Sequence, residues 1–154
     1  ESLDMEDVPR NQLRMERNRH ILVYNRKLFS LEKLEQSVAF LKDAANFEPD
    51  MVIMDGTPRF EKTEQWEIDG LRKMAQDWDA EFWTSSIAHR EGMEYDERGV
   101  PVKVARFDDD LAVIIHLEPE SDHIKVKICK EHGSEEIAQV QMELDPATML
   151  LRWR

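Results

Sequence analysis

Two short apolar runs each end in polar residues whose types could do chemistry. Met51–Met54 is continuously apolar and is followed by Asp55, while the run that ends at Thr84 is followed by Ser85 and Ser86. Open α/β sheets bind their ligands at the carboxyl ends of their strands. An aspartate there could help to hold Mg²⁺, and the hydroxyls could bind a phosphate or a water. The alternative for all three residues is ordinary turn chemistry, since Asp-Gly and serine also favour turns.

Other reactive residue types lack the spacing that their chemistry needs. The five histidines show neither the i, i+4 spacing of a helical zinc site nor an accompanying cysteine pair. Asp108-Asp109-Asp110 lacks the alternating ligands and central glycine of a calcium loop. No Gly-x-Ser-x-Gly sequence surrounds the serines, which argues against a hydrolase nucleophile. Cys129 follows an apolar residue in a strand pattern and is predicted to be a small core residue.

The elements that must position Asp55 and Ser86 alternate between strand and helix patterns. The predicted order is a surface helix near Pro9, a strand at 20–24, a helix from Ser30 to Asn46, a strand at 51–54, a helix around 71–78 and a strand at 82–84. The unbroken apolar run at 51–54 predicts a strand buried on both faces of a parallel sheet. Strands and helices that alternate in this way imply parallel strands joined by crossover helices.

The pattern changes in the second half of the chain. Residues 91–109 are polar and contain two glycines and a proline, which predicts a loop or a loose hairpin. Strand patterns separated by turn residues follow at 111–117, 123–129, 138–144 and 149–153. The sequence therefore predicts one α/β domain over residues 1–154. Its parallel strand–helix part covers 1–90, and an antiparallel β meander covers 110–154.

The composition restricts the classes of partner and location. The chain has 154 residues, is 41% hydrophobic and carries a net charge of −12, which is a globular composition. The negative charge disfavours nucleic acid, although Arg14, Arg17 and Arg19 could contact phosphate locally. The single cysteine excludes an intramolecular disulfide, and no apolar run approaches the ~18 residues of a membrane span. With no signal-peptide pattern either, we expect a cytoplasmic protein without a membrane partner.

Taken in order, several segments resemble the ATPase domain of the RecA-like superfamily, in particular its replicative-helicase (DnaB-type) and KaiC-type branch. The matching segments are Ser2–Met5, Asn11–Arg17, Met51–Asp55, Thr84–Arg90, Asp108–Leu117, Ile128–Gly133 and Glu143–Met149. The resemblance covers essentially the whole chain. It implies a RecA-like fold in a homo-oligomer that binds ATP and Mg²⁺.

The resemblance also implies a role for each candidate residue. Asp55 stands at the position of the Walker-B aspartate and would hold Mg²⁺ through water. Asp4 stands at the position of the general base, and Ser86 at that of a sensor glutamine. Lys130 and His132 lie in the segment that resembles a hairpin reaching the γ-phosphate of the neighbouring subunit, with His132 at the finger-arginine position.

Some features of the family are missing from this sequence. It contains no Gly-x-x-x-x-Gly-Lys-Ser/Thr phosphate loop, and the resemblance implies that this chain begins just after that loop. Asp4 is one methylene shorter than the family's glutamate, and Ser86 replaces glutamine. His132 replaces arginine, whose guanidinium is permanently charged. These changes favour a regulatory or partner-switching ATPase over a processive helicase.

Two other functions are compatible with the same residues. A catalytically inactive RecA-like domain would keep the fold for protein–protein interaction and assembly. A phosphate loop upstream would favour the ATPase, whereas its absence would favour the inactive domain. An unrelated small α/β enzyme would instead use Asp55 and Ser86, gathered around a small molecule in one pocket.

Overall fold

The computed structural model of the protein combines α-helices with two β-sheets. It describes residues 8–25, 27–87, 92, 94–132 and 142–153. These residues fall into two units, divided between Glu48 and Pro49. Among the described residues, none of the helices has both the length and the hydropathy that crossing a bilayer requires.

The first unit contains helices α1 (Val8–Arg17) and α2 (Leu31–Ala45). The Ser30 hydroxyl caps α2 by accepting a hydrogen bond from the Lys33 amide, and Asn46 ends the helix in a left-handed conformation with φ of 49°. Both predicted helices are therefore confirmed. These caps are local interactions, which is why the residue types alone located the ends of α2.

The strand predicted at His20–Tyr24 is wrong. This segment is irregular, and the side chains of Ile21 and Val23 are 72% and 89% exposed. A strand requires a hydrogen-bonded neighbour, and within the described residues no strand pairs with residues 20–24. The apolar run alone could not supply that partner.

The second unit begins with a strand–helix–strand motif: β1 (Met51–Met54), α3 (Gln65–Trp78) and β2 (Glu81–Thr84). The strands pair in parallel, with Met54 opposite Thr84, which confirms the predicted crossover. The prediction that β1 is buried on both faces is wrong, because Met51 is 50% exposed and Ile53 is 73% exposed. Only alternate residues of β1 face inward, and β2 is its single neighbour among the described strands.

Within residues 94–109, the loose hairpin that was predicted as an alternative to a loop is present, and a short helix and a turn follow it. Tyr95 and Pro101 form an isolated antiparallel bridge, followed by the short helix α4 (Val102–Ala105) and a 3₁₀ turn at Asp108–Asp110. Val100 is completely buried. Two apolar clusters meet here, because Val104 and Leu111 pack against both of them. The clusters are formed by Phe60, Ile68 and Phe107, and by Val100, Ile114 and Cys129.

The chain then forms a four-stranded antiparallel sheet, which confirms the predicted meander. Its strands are β3 (Val113–Pro119), β4 (Ile124–Glu131), β5 (Met142–Leu144) and β6 (Leu151–Trp153), hydrogen-bonded in that order. Residues 138–141 of the predicted third strand lie outside the described residues. The described strands thus make a mixed α/β structure with a two-stranded parallel sheet and a four-stranded antiparallel sheet.

Candidate functional site

Asp55 lies at the carboxyl end of β1, in an exposed turn that is tied to the end of β2. The Ser85 hydroxyl donates a hydrogen bond to Asp55 Oδ1 at 2.5 Å and accepts one from the Gly56 amide at 2.9 Å. The Ser85 amide in turn donates to the Met54 carbonyl at 3.0 Å. Gly56 has φ of 66°, a left-handed conformation that glycine adopts without strain. The strand ends therefore fix the orientation of one carboxylate.

Of the two serines predicted at this strand end, Ser85 is the one that contacts Asp55. Ser86 is exposed, and its side chain makes no hydrogen bond within the described residues. The parallel register explains the difference. Because Met54 lies opposite Thr84, the next residues along the two strands, Asp55 and Ser85, become neighbours. Aligning the last residues of the two apolar runs, Met54 and Thr84, would have identified Asp55 and Ser85 as neighbours.

Lys130, on β4, is held inside its own chain by Asp108. Its ammonium group donates hydrogen bonds to the Asp108 backbone carbonyl and, at 3.4 Å, to the carboxylate, and its side chain is 15% exposed. Arg98 bonds the same carboxylate at 3.2 Å and also bonds Asp96 at 2.9 Å. Two cations and two carboxylates thus form one neutral cluster.

This cluster lowers the pKa of Asp108. The hydrogen bond from Arg98 is the main cause, and the charge of Lys130 adds to it against the opposing effect of burial. Asp108 is therefore ionised at neutral pH and attracts Lys130 strongly. A role for Lys130 on another molecule requires it to leave this carboxylate.

The remaining predicted residues are not joined to Asp55 in the described part of the chain. His132 follows β4 with φ of 41°, and its amide donates to the Ala112 carbonyl at 2.7 Å while the residue stays exposed. Within the described residues, no hydrogen bond or ion pair links Asp55 to Lys130 or His132. Asp4 lies outside the described residues.

The donor set at Asp55 fits a cation held through water rather than a dedicated metal cage. Across the described ranges, no group of three or more His, Cys, Asp or Glu residues could hold a metal ion. Mg²⁺ commonly keeps several waters and needs only one or two carboxylates. Asp55 is exposed, and Ser85 is the one hydrogen-bond partner of its carboxylate within the described residues.

The prediction that Cys129 is a small core residue is confirmed, because its side chain is fully buried and burial raises the pKa of its thiol.

Comparison with protein-family models, with curated proteins and with solved structures returned no match. The resemblance to RecA-like ATPases therefore depends on the motifs of this chain alone.

Proposed function

We propose that this chain is the C-terminal portion of a RecA-like P-loop ATPase, in which ATP binding and hydrolysis are coupled to remodelling of an oligomer or a partner. Support comes from one observation above all. Asp55, the residue that matches the Walker-B aspartate, lies at the carboxyl ends of two adjacent parallel strands and is oriented there by Ser85. That edge is where open α/β sheets bind nucleotides.

In this proposal Asp55 holds the waters of a nucleotide-bound Mg²⁺. Ser85 donates to Oδ1, so the carboxylate is already oriented before the cation arrives, which reduces the cost of binding. Magnesium, when bound, would neutralise charge that develops on the phosphates. Ser86 follows on the same edge, and Asp4 would accept the proton of the attacking water. The phosphate loop would come from sequence upstream.

The state of Lys130 and His132 supports slow, regulated hydrolysis. Lys130 would act on the γ-phosphate of a neighbouring subunit, but Asp108 competes for its ammonium group. His132 is exposed at the end of β4 and lacks a permanent charge. A site that works by positioning and charge is weakened by both features.

Calorimetry with MgATP tests this proposal directly. The titration uses this chain and a version extended upstream through any phosphate loop. We expect the extended form to bind, Asp55→Ala to abolish binding, and Asp50→Ala to leave it unchanged. Asp50 is a matched control because it is an exposed carboxylate at the opposite end of β1. Binding that survives Asp55→Ala, or no binding by either length, would refute the assignment.

A specific observation also favours the second candidate, a catalytically inactive domain that assembles with copies of itself. One face of the antiparallel sheet is apolar across its strands. Two cross-strand rows on this face are Leu117, Val126, Met142 and Trp153, and Pro119, Ile124, Leu144 and Leu151. Leu117, Leu151 and Trp153 are 51%, 60% and 78% exposed. Val126, on β4 between these strands, is only 6% exposed, so the exposed apolar residues lie on the two outer strands, β3 and β6. Exposed apolar residues on a sheet face are typical of interaction surfaces.

Sedimentation velocity over a concentration series tests the assembly candidate. Leu117→Gln places a polar group on the apolar face, whereas Glu118→Gln alters the adjacent position on the opposite face. We expect the first variant to shift the wild-type assembly towards monomer and the second to leave it unchanged. A wild-type chain that stays monomeric, or equal behaviour of the two variants, excludes self-assembly through this face.

A further inference from the structure

His123 immediately precedes β4 and faces three carboxylates at once. Its Nδ1 lies 2.7 Å from Asp122 Oδ1, and its Nε2 lies 3.3 Å from both Glu120 Oε2 and Glu143 Oε1. Glu120 and Asp122 belong to the turn between β3 and β4, whereas Glu143 belongs to β5. The His123 side chain is only 14% exposed. The imidazole therefore links a turn to a strand that is distant in sequence.

The charges around this imidazole favour its protonated form. Lys125 lies opposite Glu118 on β3 and Glu143 on β5, and Arg152 lies opposite Glu143 on β6 while it bonds Asp145. These cations neutralise part of the acidic charge from the strands. The pKa of His123 is nevertheless raised, mainly by its hydrogen bond to Asp122 and then by the charges of Glu143 and Glu120, against partial burial.

We propose that His123 is a proton-operated clamp that holds β5 against β4. The imidazolium ion has an N–H on each nitrogen, so it can donate to Asp122 from one side and to Glu143 or Glu120 from the other. The neutral ring keeps one N–H, and its second nitrogen then directs a lone pair at a carboxylate oxygen. Loss of one proton thus replaces an attraction by a repulsion on one side of the ring.

The clamp lies at one end of the described pairing between β4 and β5, next to the pair Ile124–Leu144. Within the described residues, three residue pairs join β4 to β5, from Ile124–Leu144 to Val126–Met142. The direction of the pH effect follows from the raised pKa. The stabilisation is fully present below the ordinary histidine pKa of about 6.5 and is lost as pH rises through the higher value of the folded protein.

NMR on the full chain tests the clamp with two readouts. The first is the titration of the His123 ring, and the second is amide-exchange protection of β4 and β5, corrected for intrinsic exchange, from about pH 5 to about pH 8. We expect His123 to titrate above about 6.5. Protection should fall about two- to fivefold across that titration, the range that exposed ion pairs produce.

Three variants make the test specific. His123→Gln should remove the pH step in protection, and Glu143→Gln should lower the pKa of His123 and shrink the step. His132→Gln, an exposed histidine just beyond the other end of β4, should behave like wild type. The clamp is overturned if His123 titrates at or below its ordinary value. A wild-type chain without the step, or a step that persists in His123→Gln, overturns it equally.

Discussion

Replacement of Ser85 by alanine should loosen the turn that presents Asp55. The variant loses a hydrogen bond to a carboxylate, worth about 1.5–3 kcal/mol, and one from a backbone amide, worth about 0.5–1.5 kcal/mol. Ser85 and Asp55 are exposed, so in the variant water replaces part of each lost hydrogen bond. We therefore expect a loss at or below the low end of that sum, about 1–2 kcal/mol. Such a loss lowers local protection from exchange by about 5–30-fold.

Amide exchange at residue 85 is the direct assay, because that amide bonds the Met54 carbonyl at 3.0 Å in wild type and remains present in Ser85→Ala. Ser86→Ala is the matched control and should change protection by less than about 0.5 kcal/mol. Ser85→Thr restores the hydroxyl and should recover most of the protection. If Ser86→Ala lowers amide protection at residue 85 as much as Ser85→Ala does, or if Ser85→Thr restores none of that protection, the Ser85 hydroxyl does not hold the turn.

Three further predictions concern the ion cluster and the core. Asp108→Asn should make Lys130 react faster with an amine-specific label, whereas Asp109→Asn should not; equal rates would mean that the carboxylate does not hold the ammonium group. Because the pKa of Asp108 is lowered, its contribution to stability is present at neutral pH and lost as pH falls through the folded value. Asp108→Asn should accordingly flatten the acid side of a urea-unfolding pH profile, and an unchanged profile would contradict this. The Phe107 side chain is 3% exposed, so Phe107→Ala should lower the free energy of unfolding of the second unit by about 3–5 kcal/mol, measured in urea. The Trp66 side chain is 65% exposed, and Trp66→Ala should lower it by less than about 0.5 kcal/mol. Similar losses in the two variants would show that Phe107 is not a core residue.

Local patterns in the sequence determined most of the secondary structure. Ser30 and Asn46 located the ends of α2, and helical spacing located α3. Strand patterns separated by turn residues predicted the antiparallel order of the strands in the second half. Capping bonds, helical periodicity and tight turns all act over a few residues, so residue types alone can encode them.

Pairing and burial were decided only by the tertiary structure. The apolar run at 20–24 was predicted to be a strand, but no described strand pairs with it. The run at 51–54 does form a strand, yet half of it faces outward. An apolar run shows that a segment can be buried. What covers it depends on neighbours that are remote in sequence.

For the candidate site, too, the sequence located one residue, and the tertiary structure decided its contacts. The sequence located Asp55 at a strand end because the apolar run before it and the Asp-Gly turn are local signals. The choice of Ser85 over Ser86 as its partner depends on the register between strands that lie 30 residues apart. The capture of Lys130 by Asp108 joins residues 22 positions apart. Side-chain hydrogen bonds need distances and angles that only the folded chain sets, so these contacts appear only in the tertiary structure.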